Sequence, residues 1–274
     1  MLCDATTSDI PLLQQWYNRR RGEYLLWATM TDQQWRYYIE DAQHSHDKAV
    51  RCIKIIVDPR GIAQGFLITH PVRWWKTLDV YVLGLSEEAN WSRVMPSLLS
   101  ALKRYGETML TEEADTEPFT EIEFILGRTH PAYEGLGTLA PIWKRPNAWY
   151  IRVPDISRLL RRIAPALERH LNNSELAGYS GELKINLYQG GVHLGFEHGR
   201  ISFVESWQKD LYTYDADVSM APHQLWQLIL GYRSLDQLLV DADAPDLLVN
   251  EKEAILLNTL FPTRPSFVFQ IEFK

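Results

Sequence analysis

The stretch TLDVYVLGLSEEANWSRVMPSLLSALKRYG, residues 77–106, decides the fold. Its first part is rich in apolar and β-branched side chains and predicts a strand from Leu78 to Leu85. Its second part repeats apolar residues at helical spacing and predicts a helix from Val94 to Thr108. The turn between such a strand and helix can hold a phosphate group when its residues are small. Here the turn carries bulky residues instead: Asn90, Arg93 and Met95.

The rest of the first half mixes further helices and strands. Helices are predicted to start near Asp9 and Thr31, because both residue types cap helix N-termini and apolar residues at helical spacing follow them. The predicted strands are Cys52–Val57, Gly65–His70 and Glu121–Leu126. The first two flank residues 58–61, which have the composition of a hairpin turn. This order predicts a sheet covered by helices.

The second half starts a new set of elements. A helix is predicted from Asp155 to Leu171, with an apolar stripe on one face. A three-strand meander follows, with turns at Gln189-Gly190-Gly191 and His198-Gly199. Further elements are predicted at Pro222–Leu230, Ser234–Leu239, Glu253–Leu260 and Phe267–Phe273. The predicted fold class is therefore α+β, with one domain over 1–148 and a second over 149–274.

Composition excludes several classes of protein. With 274 residues, the chain is long enough for two packed domains. Its net charge is −7, which argues against nucleic acid as a partner, and the short basic run at 19–21 is predicted to be a solvated helix face. Neither Cys3 and Cys52 nor the histidines have a metal-ligand spacing, so no metal site is predicted. Without a signal peptide or a membrane-spanning run, a cytoplasmic location is expected.

Several short segments of the chain are similar to one family. They are His130–Tyr133, Arg145–Asp155, Gly181–Lys184, Leu230–Leu235 and Leu260–Pro262. Together they resemble the C-terminal two-thirds of a bacterial GNAT N-acetyltransferase with a sterol-carrier-like domain, of the enhanced intracellular survival type. The resemblance implies a degenerate GNAT-like mixed sheet with helices, followed by a sterol-carrier-like α/β sandwich.

The resemblance also implies an activity and a cofactor. The parent enzymes move an acetyl group from acetyl-CoA to an amine, and their donor site needs a Q/R-x-x-G-x-G/A turn. In this chain Arg93 and Met95 stand at the glycine positions. We therefore expect that this chain binds no cofactor, is inactive alone, and supplies acceptor-site and assembly regions. The donor-binding fold would precede Met1, so the expected partner is an N-terminal GNAT domain or a second copy of the chain.

Two sets of site residues follow from the resemblance. In the intracellular-survival type the C-terminal carboxylate acts as a base, and the corresponding group here is the carboxylate of Lys274. A sterol-carrier fold encloses an apolar tunnel, and the candidate lining residues are Trp207, Leu225, Trp226, Ile229, Leu230 and Phe261. The same side chains would equally suit a filled core. The acidic balance of the chain suits a cationic amine as the acceptor.

Two other functions stay open from the sequence. The chain could be a non-catalytic module that binds an apolar small molecule in its second domain. It could also be the interaction partner of a separate acetyltransferase domain. Lipid that co-purifies with the chain would favour the first function. Association with a GNAT protein that has an intact donor turn would favour the second.

Overall fold

The fold is described from a computed structural model of the chain. It describes residues 1–42, 45, 50–73, 75–111, 117–139, 151, 153–208, 216–240 and 247–268. The chain forms two compact units. The first unit comprises Met1–Arg145 and Pro265–Lys274, and the second comprises Pro146–Arg264. The domain boundary predicted between residues 148 and 149 lies outside the described residues.

A segment from far along the chain belongs to the first unit. The amide of Leu25 donates to the carbonyl of Pro265 (2.8 Å), and the amide of Phe267 donates to the carbonyl of Leu26 (2.9 Å). In the predicted division of the chain, residues 265–268 belong to the second domain. Their partners lie about 240 positions away along the chain, a separation that local patterns do not reveal.

The first unit is built on a mixed sheet. Its strands are β1 (Leu2–Asp4), β2 (Cys52–Val57), β3 (Ala63–Thr69), β4 (Thr77–Leu85) and β5 (Glu121–Phe124). They lie in the order β1-β2-β3-β4-β5, antiparallel except for the parallel pair β4 and β5. A parallel pair of strands needs a crossover connection, because both strands run in the same direction.

Helix α3 (Trp91–Thr108) makes the crossover between β4 and β5. It follows α1 (Ile10–Asn18) and α2 (Asp32–Arg36) in the chain, and α4 (Ala132–Leu136) comes after β5. Helices cover both faces of the sheet, as alternate residues of β3 show. Phe66 and Ile68 pack into one core cluster with residues of α1 and α2, whereas Leu67 packs into the other with residues of α3. This alternation is what a strand buried on both faces requires.

Strand β5 pairs with only the first part of β4. The paired residues run from Thr77 with Glu121 to Val80 with Phe124. At Tyr81 the register between β3 and β4 slips by one residue, which is a bulge. Beyond it, in the described part of the chain, no strand pairs with residues 82–85 on the β5 side. This part of β4 therefore has one edge that other groups of the protein can reach.

The second unit contains its own five-stranded sheet. Its elements are α5 (Ile156–Asn172), β6 (Gly181–Asn186), β7 (Gly191–Glu197), β8 (Arg200–Trp207), β9 (Val218–Ser219), α6 (Pro222–Ile229), α7 (Leu235–Leu239), β10 (Leu248–Val249) and α8 (Glu251–Leu260). The strand order is β10-β9-β6-β7-β8. Apolar residues of the central strands and of α5, α6 and α8 form one buried core.

The predicted meander is confirmed as β6, β7 and β8. Its second turn consists of His198 and Gly199, whose φ angles are 51° and 78°. Two consecutive residues with positive φ are typical of a type I′ hairpin turn, whose twist matches that of the strands. The predicted strand and helix at residues 77–108 are also confirmed, although the helix begins earlier, at Trp91, because the Asn90 side chain caps it. Among the described residues, no helix has both the length and the apolar character that a membrane span requires.

Candidate functional site

The first unit has a cavity of about 330 Å³ beside the open edge of β4. Residues of α1, of the short turn Arg21–Glu23 and of the loop before α4 also line it. Its aromatic lining residues are Trp16, Tyr17, Tyr24, Trp27, Phe66, Trp91 and Phe267. A concave site of this size, with aromatic walls and several polar groups, is typical of small-molecule binding.

Arg20 is the central charged residue of this cavity. Its Nε and Nη2 atoms donate to the same carboxylate oxygen of Glu23, at 2.8 and 2.6 Å, and Nη2 also lies 3.3 Å from the Thr129 carbonyl oxygen. The guanidinium carbon lies 5.3 Å from the centre of the Tyr24 ring. The remaining atom, Nη1, is buried and has no hydrogen-bond partner among the described residues. The side chain is thus fixed in place with one donor left over.

Trp27 provides a second donor of the same kind. Its ring contacts Tyr17, Tyr24 and Phe267, with ring centres 4.8, 5.0 and 5.2 Å away. Within the described part of the chain, the buried indole Nε1 also has no acceptor. Trp27 and Arg20, the two residues that carry these donors, both contact the Tyr24 ring.

His130 closes the open edge of β4. Its Nε2 lies 3.0 Å from the Leu83 carbonyl oxygen, and its Nδ1 accepts from the Ala132 amide at 3.2 Å. The ring is therefore neutral, with the proton on Nε2. Burial, with the positive charge of Arg20 as a second cause, lowers the pKa of His130 to about 3. Both ring nitrogens are engaged, so this histidine has no free lone pair to accept a proton.

The cavity lacks a free general base among its described lining residues. Glu23 is their single carboxylate, and it is paired with Arg20. Burial raises the pKa of the Tyr24 hydroxyl, which keeps it protonated near neutral pH. Removing a proton from an amine needs a positioned base with an available lone pair. Among the described lining residues, the one carboxylate is thus ion-paired and the Tyr24 hydroxyl is protonated.

The turn singled out in the sequence lies at the start of α3. The Asn90 side chain accepts from the Arg93 amide at 3.3 Å and so caps the helix itself. Arg93 is exposed. Met95 is fully buried, and a Cβ atom added to Gly135 would lie 2.7 Å from its Cγ, so its side chain packs closely against α4. Met95 is therefore a core residue of the first unit.

The other predicted site residues lie in the second unit or outside the described residues. Leu225, Ile229 and Phe261 belong to the buried core, and Trp226 packs against it. Trp207 and Leu230 are half-buried. An apolar tunnel lined by these six residues stays a prediction. Lys274 lies outside the described residues, as does most of the segment Arg145–Asp155.

Sequence reasoning missed the cavity in the first unit. Arg19 and Arg21 are exposed, as predicted for the basic run, but Arg20 between them is half-buried and ion-paired. The signal that could have found it is local: Arg20 is followed by Glu23, Tyr24 and Trp27, an ion pair next to two aromatic residues. His130 belongs to one of the segments that carry the family resemblance, but no sequence pattern predicts its hydrogen bond with the Leu83 carbonyl.

No protein-family model and no curated protein matches the chain. Solved structures do. A ribosomal-protein-alanine N-acetyltransferase from Brucella melitensis biovar Abortus 2308 is 11% identical with a TM-score of 0.38, over 56% of this chain and 99% of that one. A tetramutant of the BH1408 protein from Bacillus halodurans is 13% identical with a TM-score of 0.38, over 56% and 99%.

A third structure matches both units. It is a conserved protein from Enterococcus faecalis V583, described as a probable N-acyltransferase, with 10% identity and a TM-score of 0.50. The match covers 98% of this chain and 62% of that protein, so the chain spans less than two thirds of its length. At this identity the likeness concerns the fold alone. The chain therefore has a mixed α/β fold similar to that of this probable N-acyltransferase.

Proposed function

We propose that the chain is the ligand-binding and assembly part of an N-acetyltransferase system and does not transfer acetyl groups alone. The observation that carries this proposal is the contact of His130 with Leu83 on the open edge of β4. The system as a whole would move an acetyl group from acetyl-CoA to an acceptor. The donor would be bound by a separate GNAT domain or by another protein.

The open edge of β4 supports the loss of donor binding. An extended ligand is held at such an edge by hydrogen bonds to main-chain groups of the strand. Here the Leu83 carbonyl already accepts a hydrogen bond from the buried His130 ring. A donor arm at this place would have to displace His130, and the Leu83 oxygen and Ala132 amide would each lose a partner.

The start of α3 supports the same conclusion. Backbone amides at a helix start bind phosphate when they are free and when small residues let the phosphate come close. In this chain the Asn90 side chain already occupies the Arg93 amide, and the exposed Arg93 side chain stands where the family has a glycine. The cavity also lacks a free base among its described residues. Because an amine must lose a proton to a base before it reacts, the chain would not activate an amine even with a donor bound.

The second unit is proposed to be the sterol-carrier-like domain of the enhanced intracellular survival type. Its five-stranded sheet packed against the long α5 and the C-terminal α8 supports this. In this proposal it serves assembly, because Leu225, Ile229 and Phe261 are core residues.

Calorimetric titration of acetyl-CoA into the purified chain tests the proposal. We expect no heat of binding at millimolar acetyl-CoA. The N-acetyltransferase from Brucella melitensis, titrated in the same buffer, is the positive control. Saturable binding at micromolar acetyl-CoA would contradict the proposal, and the chain would then have to be assayed against amines as an enzyme in its own right.

A further inference from the structure

Two residues that line the cavity of the first unit, Arg20 and Trp27, each carry a buried donor atom without a partner among the described residues. Arg20 Nη1 and Trp27 Nε1 are both buried, and neither has an acceptor within the described residues. A guanidinium and an indole N–H can only donate. Buried donors are normally paired, and an exception calls for an explanation. A ligand with acceptor groups would provide the missing partners.

The charges around the cavity indicate an anion. The described charged residues that line it are Arg19, Arg20 and Glu23, and His130 is neutral because both of its ring nitrogens are engaged. Glu23 binds the Nε and Nη2 side of the guanidinium and leaves the Nη1 side. This local charge differs in sign from the chain as a whole, whose net charge of −7 suggested a cationic ligand.

A carboxylate fits this position better than a phosphate. A phosphate monoester carries about −1.5 to −2 charges at neutral pH and would face Glu23 on the same guanidinium. A carboxylate carries a single charge, and arginine binds it with strong, charge-assisted hydrogen bonds.

The walls indicate an aromatic ligand. Trp16 and Phe66 stack with ring centres 6.4 Å apart, and Trp91 meets the His130 ring edge-on at 5.1 Å. These rings all line the cavity, whose volume of about 330 Å³ suits a compact molecule and not a long lipid. Stacked or edge-on contact with the ring of a ligand would stabilise the bound state.

We propose that this cavity binds a small aromatic monocarboxylate, with the carboxylate on Arg20 Nη1 and Trp27 Nε1 as a second donor to the same ligand. The inference rests on the proposed function in one respect, that the cavity receives a ligand other than the acetyl donor. It names the chemical class of that ligand.

The test is calorimetric titration of the full chain with 3-phenylpropionate and, as the matched control, with its neutral amide. We expect saturable binding of the acid, and binding of the amide weaker by roughly tenfold or more, because the amide loses the charge-assisted bond to arginine. R20Q should weaken binding of the acid by roughly tenfold, and W27F, which keeps an aromatic ring but removes the N–H, by severalfold. R21Q, on the exposed neighbour, should leave binding unchanged.

Three results would overturn the inference: no saturable binding of the acid at millimolar concentration, equal binding of acid and amide, or full binding by R20Q. If R20Q does not fold, the comparison of acid with amide and the W27F variant still decide. Acetyl-CoA is titrated separately. Binding of acetyl-CoA together with the acid would contradict the proposed function, whereas absence of both would contradict this inference alone.

Discussion

The imidazole Nε2 of His130 lies 3.0 Å from the main-chain oxygen of Leu83, across 47 positions of sequence. This contact joins the loop before α4 to the part of β4 that β5 leaves unpaired. It gives a carbonyl that no strand pairs a partner from inside the same unit, and His130 forms part of the cavity wall. Several measurable properties of the protein depend on it.

Replacing His130 with alanine should destabilise the first unit. The variant leaves the Leu83 oxygen and the Ala132 amide without their present partner in a buried place. We expect a loss of about 2–3 kcal/mol in the free energy of unfolding, since each unsatisfied buried group costs about 1–3 kcal/mol. Urea unfolding followed by tryptophan fluorescence measures it. His223→Ala, at an exposed helix position, is the control and should stay within about 0.5 kcal/mol of the parent.

The stability of the protein should fall on mild acidification, with His130 as one cause. The pKa of His130 is lowered to about 3 in the folded state, against about 6.5 when unfolded. Between these values the unfolded chain binds the proton and the folded chain does not, so stability is fully present above pH 6.5 and declines as pH falls towards 3. The contribution amounts to about 2 kcal/mol between pH 8 and pH 5.

Urea unfolding midpoints at pH 8 and pH 5 measure this dependence. His130→Gln should be less stable than the parent at pH 8 but should lose less on going to pH 5, because glutamine does not titrate. An equal loss in parent and variant would show that other groups cause the effect.

Shortening Met95 should destabilise the first unit strongly. The side chain is fully buried between α3 and α4. Met95→Ala leaves a cavity and should cost about 2–5 kcal/mol, whereas Met95→Leu, of similar volume, should cost less than about 1.5 kcal/mol. Thermal unfolding of both variants compares them. If alanine is tolerated as well as leucine, Met95 is not the core residue described above.

Replacing Gly199 with alanine should weaken the hairpin of β7 and β8. Gly199 has a φ of 78°, and an added Cβ would lie 2.6 Å from the Asn172 side-chain oxygen and 3.1 Å from the Gly178 nitrogen. We expect a loss of about 1–2 kcal/mol from the left-handed conformation alone. Gly22→Ala is the control, because its Cβ would meet no atom within 4 Å. Unfolding in urea with both variants side by side gives the comparison, and equal stability would speak against strain at Gly199.

Much of the fold could be predicted from the sequence because its signals are local. The strand and helix at residues 77–108 follow from apolar spacing, and the turn at His198-Gly199 follows from the residue types that tolerate positive φ. The direction in which Met95 points could not be predicted, since it depends on the close approach of Gly135 in α4.

The cavity could not be predicted for a similar reason. Arg20 and Trp27 lie near each other in the chain, but His130 and Phe267 reach the same place from more than a hundred residues away. No periodic pattern connects residues at such separations, so their meeting is a property of the tertiary structure. The ion pair of Arg20 with Glu23 is an exception, because residues three positions apart are a common spacing for such pairs.

The hydrogen bonds of Leu25 and Leu26 with Pro265 and Phe267 have a consequence for the folding of the protein during its synthesis. All residues of the second unit are synthesised between the two partners of these hydrogen bonds. At about 5–20 residues per second, Trp27 would wait on the order of 12–50 s for Phe267 to leave the ribosome. During that interval the Trp27 cluster lacks one of its rings, and the second unit can fold first.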